Sequence, residues 1–186
     1  MVKYFYMKIS IAKLKAILLY FSNYTDTTYL GKVKLMKLFY FLDFMHVKQY
    51  CTPITYDSYV KLEHGPIPST IKNLIDTACD NIDESILYDV IKCETPVNTN
   101  MFRILPKRKF ESSDEAMFTP SELDILNKVC QRFGDKNTKH IEDVSHKEAA
   151  YRETRILQEI PYTLATKDSD CQATEEEIKL FLEIAK

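Results

Sequence analysis

The residues best able to do chemistry in this chain are its histidines and cysteines, and their spacing matches no familiar catalytic or metal-binding arrangement. The histidines are His46, His64, His140 and His146, and the cysteines are Cys51, Cys79, Cys93, Cys130 and Cys171. No two histidines have the His-x-x-x-His spacing of zinc ligands on one helical face, and no two cysteines form a Cys-x-x-Cys pair. We therefore predict reduced cysteines that act as small hydrophobic side chains in a cytoplasmic protein, with no metal and no cofactor.

His64 and His146 each stand beside a predicted helix entrance with a stiff or capped backbone. One hypothesis is that they contact a ligand or partner, or act as general bases if a nucleophile such as Cys51 comes near. We favour the alternative that each imidazole bonds loop carbonyls and fixes its turn, because no nucleophile or metal signature accompanies either one. The three glycines are used by a helix start, a turn and a helix end, so no phosphate-binding loop remains. The chain is therefore predicted not to be an enzyme.

The central element of the chain is a predicted helix over residues 31–50 that is apolar on nearly every face from Leu38 to Met45. Such a helix must lie inside a domain, because a surface helix keeps one polar side. The apolar run is far shorter than the roughly 20 residues that cross a bilayer, and Asp43 lies within it, so we predict no membrane span. A first helix over 10–24 precedes it, with apolar residues at the spacing of a buried stripe.

Turn and capping residues mark the remaining elements. Proline pushes the preceding residue out of the helical region, and a capping box pairs a Ser or Thr with a Glu three residues later at a helix start. The predicted elements are a short strand over 54–63, a stiff turn at His64–Pro68 that opens a helix, strands over 86–91 and 102–105, capping boxes at Thr119–Glu122, Ser145–Glu148 and Thr174–Glu177, and a left-handed helix end at Gly134.

These patterns predict one domain over 1–186 of the α+β class, mainly α. It should contain about six helices around a central buried helix and a small antiparallel β-sheet, with a short C-terminal helix over 174–186.

Charge is distributed unevenly along the chain. The net charge is −2, but residues 1–50 carry eight lysines against two aspartates, so the remaining residues are acidic. One hypothesis is that the basic first third steers an acidic partner. We favour the alternative that these lysines lie on the solvent-exposed faces of two amphipathic helices. The small negative net charge argues against a dedicated nucleic-acid binder.

Two groups of residues are candidates for contacts with other molecules. The basic segment Arg103–Phe110 could touch phosphates, but an edge strand protected by lysine and proline has the same composition, and we favour the edge strand. The first fifty residues hold more aromatic rings than a core needs, and tyrosine is enriched in protein interfaces. We therefore predict protein contacts at Tyr4, Phe5, Tyr6, Tyr24 and Tyr29.

Three motifs, in their order and spacing, resemble those of the Panacea domain, also called the SocA-type antitoxin domain. They are Lys34-Leu35-x-Lys37-Leu38-x-Tyr40, His64-Gly65-Pro66-Ile67 and Ser145-His146-x-Glu148. The resemblance covers residues from about 8 to 165. This chain departs from the family near the last motif, because Tyr151 stands where the family often has a tryptophan.

The resemblance implies a function by binding. Members of the family neutralise a toxin encoded beside them, and the domain is found next to toxins of many unrelated kinds. It implies a cytoplasmic antitoxin of a bacterial or phage toxin–antitoxin system, whose partner is a cognate protein toxin, with a protease as a further partner in an adaptor mechanism. A DNA-binding autoregulator that uses Arg103–Lys109 is the alternative.

The signature residues are expected to be structural, whereas the toxin contacts are expected from aromatic residues. We expect Leu35, Lys37, Leu38 and Tyr40 to belong to the buried helix, His64, Gly65 and Pro66 to form the turn, and His146 and Glu148 to cap a helix. Tyr151 joins the surplus aromatic residues above as a candidate for toxin binding.

Overall fold

The computed structural model describes residues 9–97 and 101–185. The helices are α1 (Ile11–Tyr24), α2 (Lys32–Tyr50), α3 (Ser69–Asp80), α4 (Ser112–Glu115), α5 (Pro120–Phe133), α6 (Thr138–Ser145), α7 (Ala149–Arg152) and α8 (Glu175–Ile184), with two 3-10 helices at Ile82–Glu84 and Tyr162–Lys167. The strands are β1 (Tyr59–Leu62), β2 (Gly65–Pro68), β3 (Ile91–Glu94) and β4 (Arg103–Pro106).

The predicted class, α+β and mainly α, is confirmed, but two details differ from the prediction. Short helices such as α4 and α7 bring the number of α-helices in the described residues above six. The strands form two separate antiparallel hairpins, β1–β2 and β3–β4, where one small sheet was predicted. Within the described residues, no helix has both the length and the apolar content needed to cross a bilayer.

Helix α2 is the centre of the domain, as its apolar sequence predicts. It is buried along most of its length and packs against α5, α6, β2 and the second 3-10 helix. The ring of Phe41 lies against Phe133 of α5, with centroids 4.4 Å apart, and Tyr40 stacks on Phe44 one turn further along α2, with centroids 4.3 Å apart. Because neighbours cover every face, α2 holds the other elements in place.

For three lysines of α2, the same burial overturns the interpretation that the early lysines lie on solvent-exposed helical faces. Lys34, Lys37 and Lys48 of α2 are all buried, because this helix has no solvated face. The ammonium group of Lys34 donates to the carbonyls of Gly134 (2.8 Å) and Lys136 (2.6 Å), which follow the end of α5. A cation is favourable there, since carbonyls at a helix C-terminus carry partial negative charge.

The structure corrects three local predictions, which concern a helix end, a capping box and a strand boundary. Gly134 ends α5 with φ −57°, in the right-handed region, so it is not a left-handed stop. Ser145 is the last residue of α6 and its hydroxyl donates to the carbonyl of Glu142 (2.8 Å), so no helix starts there. The predicted strand over 86–91 begins only at Ile91, because the hydroxyl of Ser85 accepts from the amide of Leu87 (3.1 Å) in a turn. The capping boxes at Thr119 and Thr174 are confirmed.

The prediction that all cysteines are reduced is wrong. Cys79 at the end of α3 and Cys93 in β3 form a disulfide, with Cα atoms 5.2 Å apart. That Cα separation lies within the range that a disulfide spans. Sequence spacing gives no sign of the pair, because only the packing of α3 on β3 brings the two residues together. Cys51, Cys130 and Cys171 are free thiols.

Candidate functional site

The three signature motifs meet around the turn between β1 and β2. Lys37 of α2 extends its ammonium group to the carbonyl of Pro66, at 3.0 Å. Gly65 has φ +101°, and a Cβ atom added to it would lie 2.6 Å from Cε of Lys37 and 2.9 Å from Oγ of Ser145. Only glycine therefore allows the turn to approach both neighbours. We call Lys37, Gly65, Pro66, Ser145, His146 and Tyr151 the motif cluster.

Tyr151 also holds this turn in place. Its hydroxyl lies 2.9 Å from the carbonyl of Leu62 and 3.2 Å from that of Glu63, and donates to this pair. Its ring stacks on His146 with centroids 4.4 Å apart and planes 9° apart, and the ammonium of Lys61 lies 4.2 Å from its centroid. The side chain is only 8% exposed, so Tyr151 offers little free area to a toxin and acts as a structural residue here.

The sequence favours hydrogen bonds from both motif histidines to loop carbonyls, but neither histidine makes such a bond in the described residues. His64 is the exposed tip of the turn, and its Nδ1 lies 3.5 Å from a carboxylate oxygen of Glu142. His146 is the C-cap of α6 rather than a helix start, and its Nε2 is buried without a hydrogen-bond partner among the described residues. Burial lowers the pKa of His146 below its ordinary value, which favours the neutral ring.

Lys37 is the electrostatically unusual member of the motif cluster. Burial lowers the pKa of its ammonium from 10.5 to about 7, while the carboxylate of Glu142 acts in the opposite direction. A charged amine inside a protein costs free energy unless it is fully paired, and Lys37 has only the carbonyl of Pro66 as a bonded acceptor in the described residues. Lys37 therefore loses its proton near neutral pH in the folded protein.

Replacing Lys37 with methionine should remove a pH-dependent contribution to stability. Between about pH 7 and 10.5 the unfolded chain binds a proton that folded Lys37 does not, so the free energy of unfolding of the wild type rises with pH there. From pH 7 to 9 the wild type should gain ~2 kcal/mol relative to Lys37→Met, at up to ~1.4 kcal/mol per pH unit. Urea unfolding at several pH values measures this. Lys139→Met, at an exposed position, is the control, and parallel profiles for wild type and Lys37→Met would contradict the assignment.

Replacing Gly65 with alanine should destabilise the fold by ~3 kcal/mol, because it combines backbone strain with a steric clash. The new methyl group would meet Lys37 and Ser145 in a backbone conformation that side chains disfavour. Thermal and urea unfolding give the loss. Glu63→Ala in the same turn should change stability by less than ~0.5 kcal/mol, as exposed substitutions do. Equal stabilities for the two variants would show that the turn relaxes freely.

The last signature residue, Glu148, belongs to a second buried polar group at the other end of α2. It is the N-cap of α7, but its carboxylate bonds the ammonium of Lys48 (2.5 Å) rather than a helix amide. Asp168 and Asp170 lie 3.0 and 2.9 Å from the same ammonium. Burial raises the pKa of Glu148, and although burial also opposes the charge of Lys48, the surrounding carboxylates raise the pKa of that lysine above its ordinary value.

The structure does not bring Cys51 close to His64 or His146, as the disfavoured hypothesis of a general base required. Cys51 follows the last residue of α2, and roughly 20 Å of helix separates it from Lys37, at 1.5 Å per residue. His64 and His146 lie near Lys37, at the far end of α2 from that thiol. Across the described parts of the chain, no three His, Cys, Asp or Glu side chains are grouped as metal ligands.

The aromatic residues predicted to bind a partner have different positions. Tyr4, Phe5 and Tyr6 lie outside the described residues. Tyr24 is 54% exposed and Tyr29 is 41% exposed, so both offer area for contact. Tyr29 lies two residues before Gly31 in the sequence. Gly31 belongs to the lining of an apolar groove of about 600 Å³ at the start of α2, together with Lys32, Val33, Met101, Phe102 and Thr138.

Tyr24 belongs to a different groove, which the sequence does not reveal. It has a volume of about 500 Å³ and lies between α1, α4 and α5, lined by Tyr20, Tyr24, Phe110, Glu111, Ser112, Glu115, Pro120, Leu123, Asp124 and Asn127. We call it the aromatic–acidic groove. Its residues come from three separated segments, so only the folded chain brings rings and carboxylates to one surface.

Comparison with known proteins places the chain in a family. The family described as antitoxin SocA-like, Panacea domain, matches residues 35–151. The chain belongs to this family, since the match covers more than half of its length, and it includes all three motifs except Lys34. No curated protein matches the chain significantly, and no solved structure does.

Proposed function

We propose that the protein is an antitoxin that neutralises a cognate protein toxin by direct contact and without catalysis. Membership of the SocA-like antitoxin family supports a role in a toxin–antitoxin system. The observation that carries the contact mechanism is the inward direction of the signature residues on the central helix α2. Leu35, Leu38 and Tyr40 are at most 1% exposed, and Lys37 is fully buried.

A scaffold role for the signature leaves recognition to the exposed surface. Residues that build a turn and a core keep the shape of the domain, while surface side chains determine which protein binds. A standard interface of roughly 800 Å² on each partner is enough for a stable complex. The exposed aromatic side chains at Tyr24 and Tyr29 provide the kind of anchors that dominate binding energy in such interfaces.

The test is co-expression with the product of the adjacent gene. We expect the full chain to restore growth that this product inhibits, and to co-purify with it as a stoichiometric complex. His64→Ala should neutralise as well as the wild type, because neutralisation by contact needs no general base. Failure of the wild type to bind or rescue would overturn the proposal. Rescue in which the toxin disappears from the cell, and reappears when proteases are inhibited, would instead favour a proteolytic adaptor.

A DNA-binding autoregulator receives less support from the structure. Arg108, at the centre of the basic segment, is bound by Asp114 through two contacts of 2.6 and 2.7 Å. The amide of Ile104 in β4 donates to the carbonyl of Leu30 (2.8 Å), so the strand is covered there rather than a free edge. Two carboxylates, Glu111 and Glu115, follow this segment. Salt-sensitive binding to the promoter region of its own gene, seen in gel shifts at two salt concentrations, would support the DNA-binding function.

A further inference from the structure

We propose that the aromatic–acidic groove receives a basic segment of the partner protein, with an arginine or lysine side chain over its rings. The inference rests on the proposed function, since it names the chemistry by which this antitoxin recognises its toxin. The groove shares no residue with the motif cluster, whose members contact one another. Its carboxylates lie beside three rings, of which Tyr24 is 54% exposed.

Three rings form the apolar part of the groove. The centroid of Tyr20 lies 4.6 Å from that of Tyr24 and 5.1 Å from that of Phe110, and Tyr24 and Phe110 are 6.0 Å apart. Two of these pairs meet edge to face, with planes 86° and 70° apart. Such packing holds the rings in place before a partner arrives, so little side-chain entropy is lost on binding.

Carboxylates form the polar part. Glu111, Glu115 and Asp124 line the groove, and no lysine or arginine lines it within the described residues. The carboxylate of Asp124 forms an ion pair with the ammonium of Lys128, with Oδ2 and Nζ 2.6 Å apart. Glu115 is exposed and makes no ion pair in the described part of the chain. Glu115 also contributes to raising the pKa of Tyr20 to about 12, behind burial, Cys130 and Tyr24.

Rings and carboxylates together select a cation with an apolar stem. The face of an aromatic ring attracts an ammonium or guanidinium group, and carboxylates at the rim steer positive charge toward it. Arginine and lysine are the protein side chains that combine such a charge with an apolar stem. An acidic or nucleic-acid partner would be repelled by the same rim. The apolar groove at the start of α2 offers no comparable selection, because its lining holds no carboxylate.

The test compares charge reversal inside and outside the groove. We would measure the Kd of the full chain for the adjacent gene product by calorimetry, for the wild type, Glu115→Lys, Tyr24→Ser and the control Glu183→Lys on α8. Circular dichroism confirms that each variant is folded. We expect Glu115→Lys and Tyr24→Ser to weaken binding at least tenfold, and Glu183→Lys to change it less than twofold. A charge-swap variant of the partner, with a basic residue of the binding segment replaced by glutamate, should restore the affinity of Glu115→Lys.

The outcomes separate this inference from the proposed function. A tight wild-type complex that Glu115→Lys and Tyr24→Ser leave unchanged would overturn the groove assignment while supporting the antitoxin role. If the wild type does not bind the adjacent gene product, a synthetic arginine-rich peptide and a glutamate-rich peptide of equal length serve as probes. Binding of the basic peptide alone, lost in Glu115→Lys and kept in Glu183→Lys, would support the groove. Absence of that preference would overturn it.

Discussion

Replacing Asp43 with alanine should lower the free energy of unfolding by ~4 kcal/mol, since it leaves several buried donors without an acceptor. The carboxylate of Asp43 accepts from the amides of Ile54 (2.8 Å) and Thr55 (2.7 Å), from the Thr55 hydroxyl, and from the hydroxyl of Tyr59 (2.8 Å). It thereby ties the segment after α2 and the first hairpin to the central helix. Removing the buried charge offsets part of the loss, because burial raises the pKa of Asp43 to about 6.

Asp43→Asn is the matched control for this prediction. It keeps the size and one acceptor oxygen, so urea unfolding at pH 7 should show less than half of the loss seen with alanine. The pH dependence has a definite sign, because the folded pKa of about 6 exceeds the ordinary value of 3.8. The stability of the wild type relative to Asp43→Asn should fall as pH rises from about 4 to 6 and then level off. A larger loss for asparagine than for alanine would contradict the acceptor role.

Replacing Lys48 with methionine should cost ~3–5 kcal/mol at pH 7, because it leaves a buried carboxylate without its counter-charge. Glu148 and Asp168 are mostly buried beside this lysine, with side chains 12% and 14% exposed. Asp170 is 64% exposed and contributes little, since water screens it. The variant keeps the apolar stem of the side chain, so the loss reports the charge rather than the packing.

The loss at Lys48 should shrink as the pH falls toward 5. Burial raises the pKa of Glu148 already in the wild type, and removal of Lys48 raises it further. As the pH falls, the carboxyl of Glu148 therefore takes up a proton at a higher pH in the variant than in the wild type. Urea unfolding of Lys48→Met at pH 7 and pH 5 gives the comparison. Lys139→Met removes the lysine of an exposed pair with Asp143 and should leave the stability nearly unchanged at both pH values. A pH-independent loss at Lys48 would point to packing instead of charge.

Much of the helical framework follows from the sequence because local signals and the global fold agree. The apolar run of α2 admits only a central position, and Thr119 and Thr174 form the capping boxes that their spacing predicts. The box at Ser145 fails because tertiary contacts override local preference. The hydroxyl of Ser145 bonds back to Glu142, and Glu148 turns to the charge of Lys48, which is 100 residues away in sequence.

The sites are harder to predict, because they depend on long-range packing. Nothing local shows that Lys37 meets the turn at Gly65 and Pro66, or that Cys79 faces Cys93. Lysine side chains are normally solvated, so the sequence alone predicts a solvent-exposed face for the lysines of α2. The signal in the sequence that indicates their burial is their position inside an otherwise apolar helix, since such a helix leaves no solvated face for them.

The most direct test of neutralisation by contact is a titration of the toxin's own activity with the purified chain. A binder that acts by occupying the toxin should abolish the activity at a fixed stoichiometric ratio, and the toxin should recover unchanged when the complex is dissociated. Loss of activity at far smaller amounts of the chain, or a toxin that remains covalently altered after separation, would contradict this account and establish an enzyme.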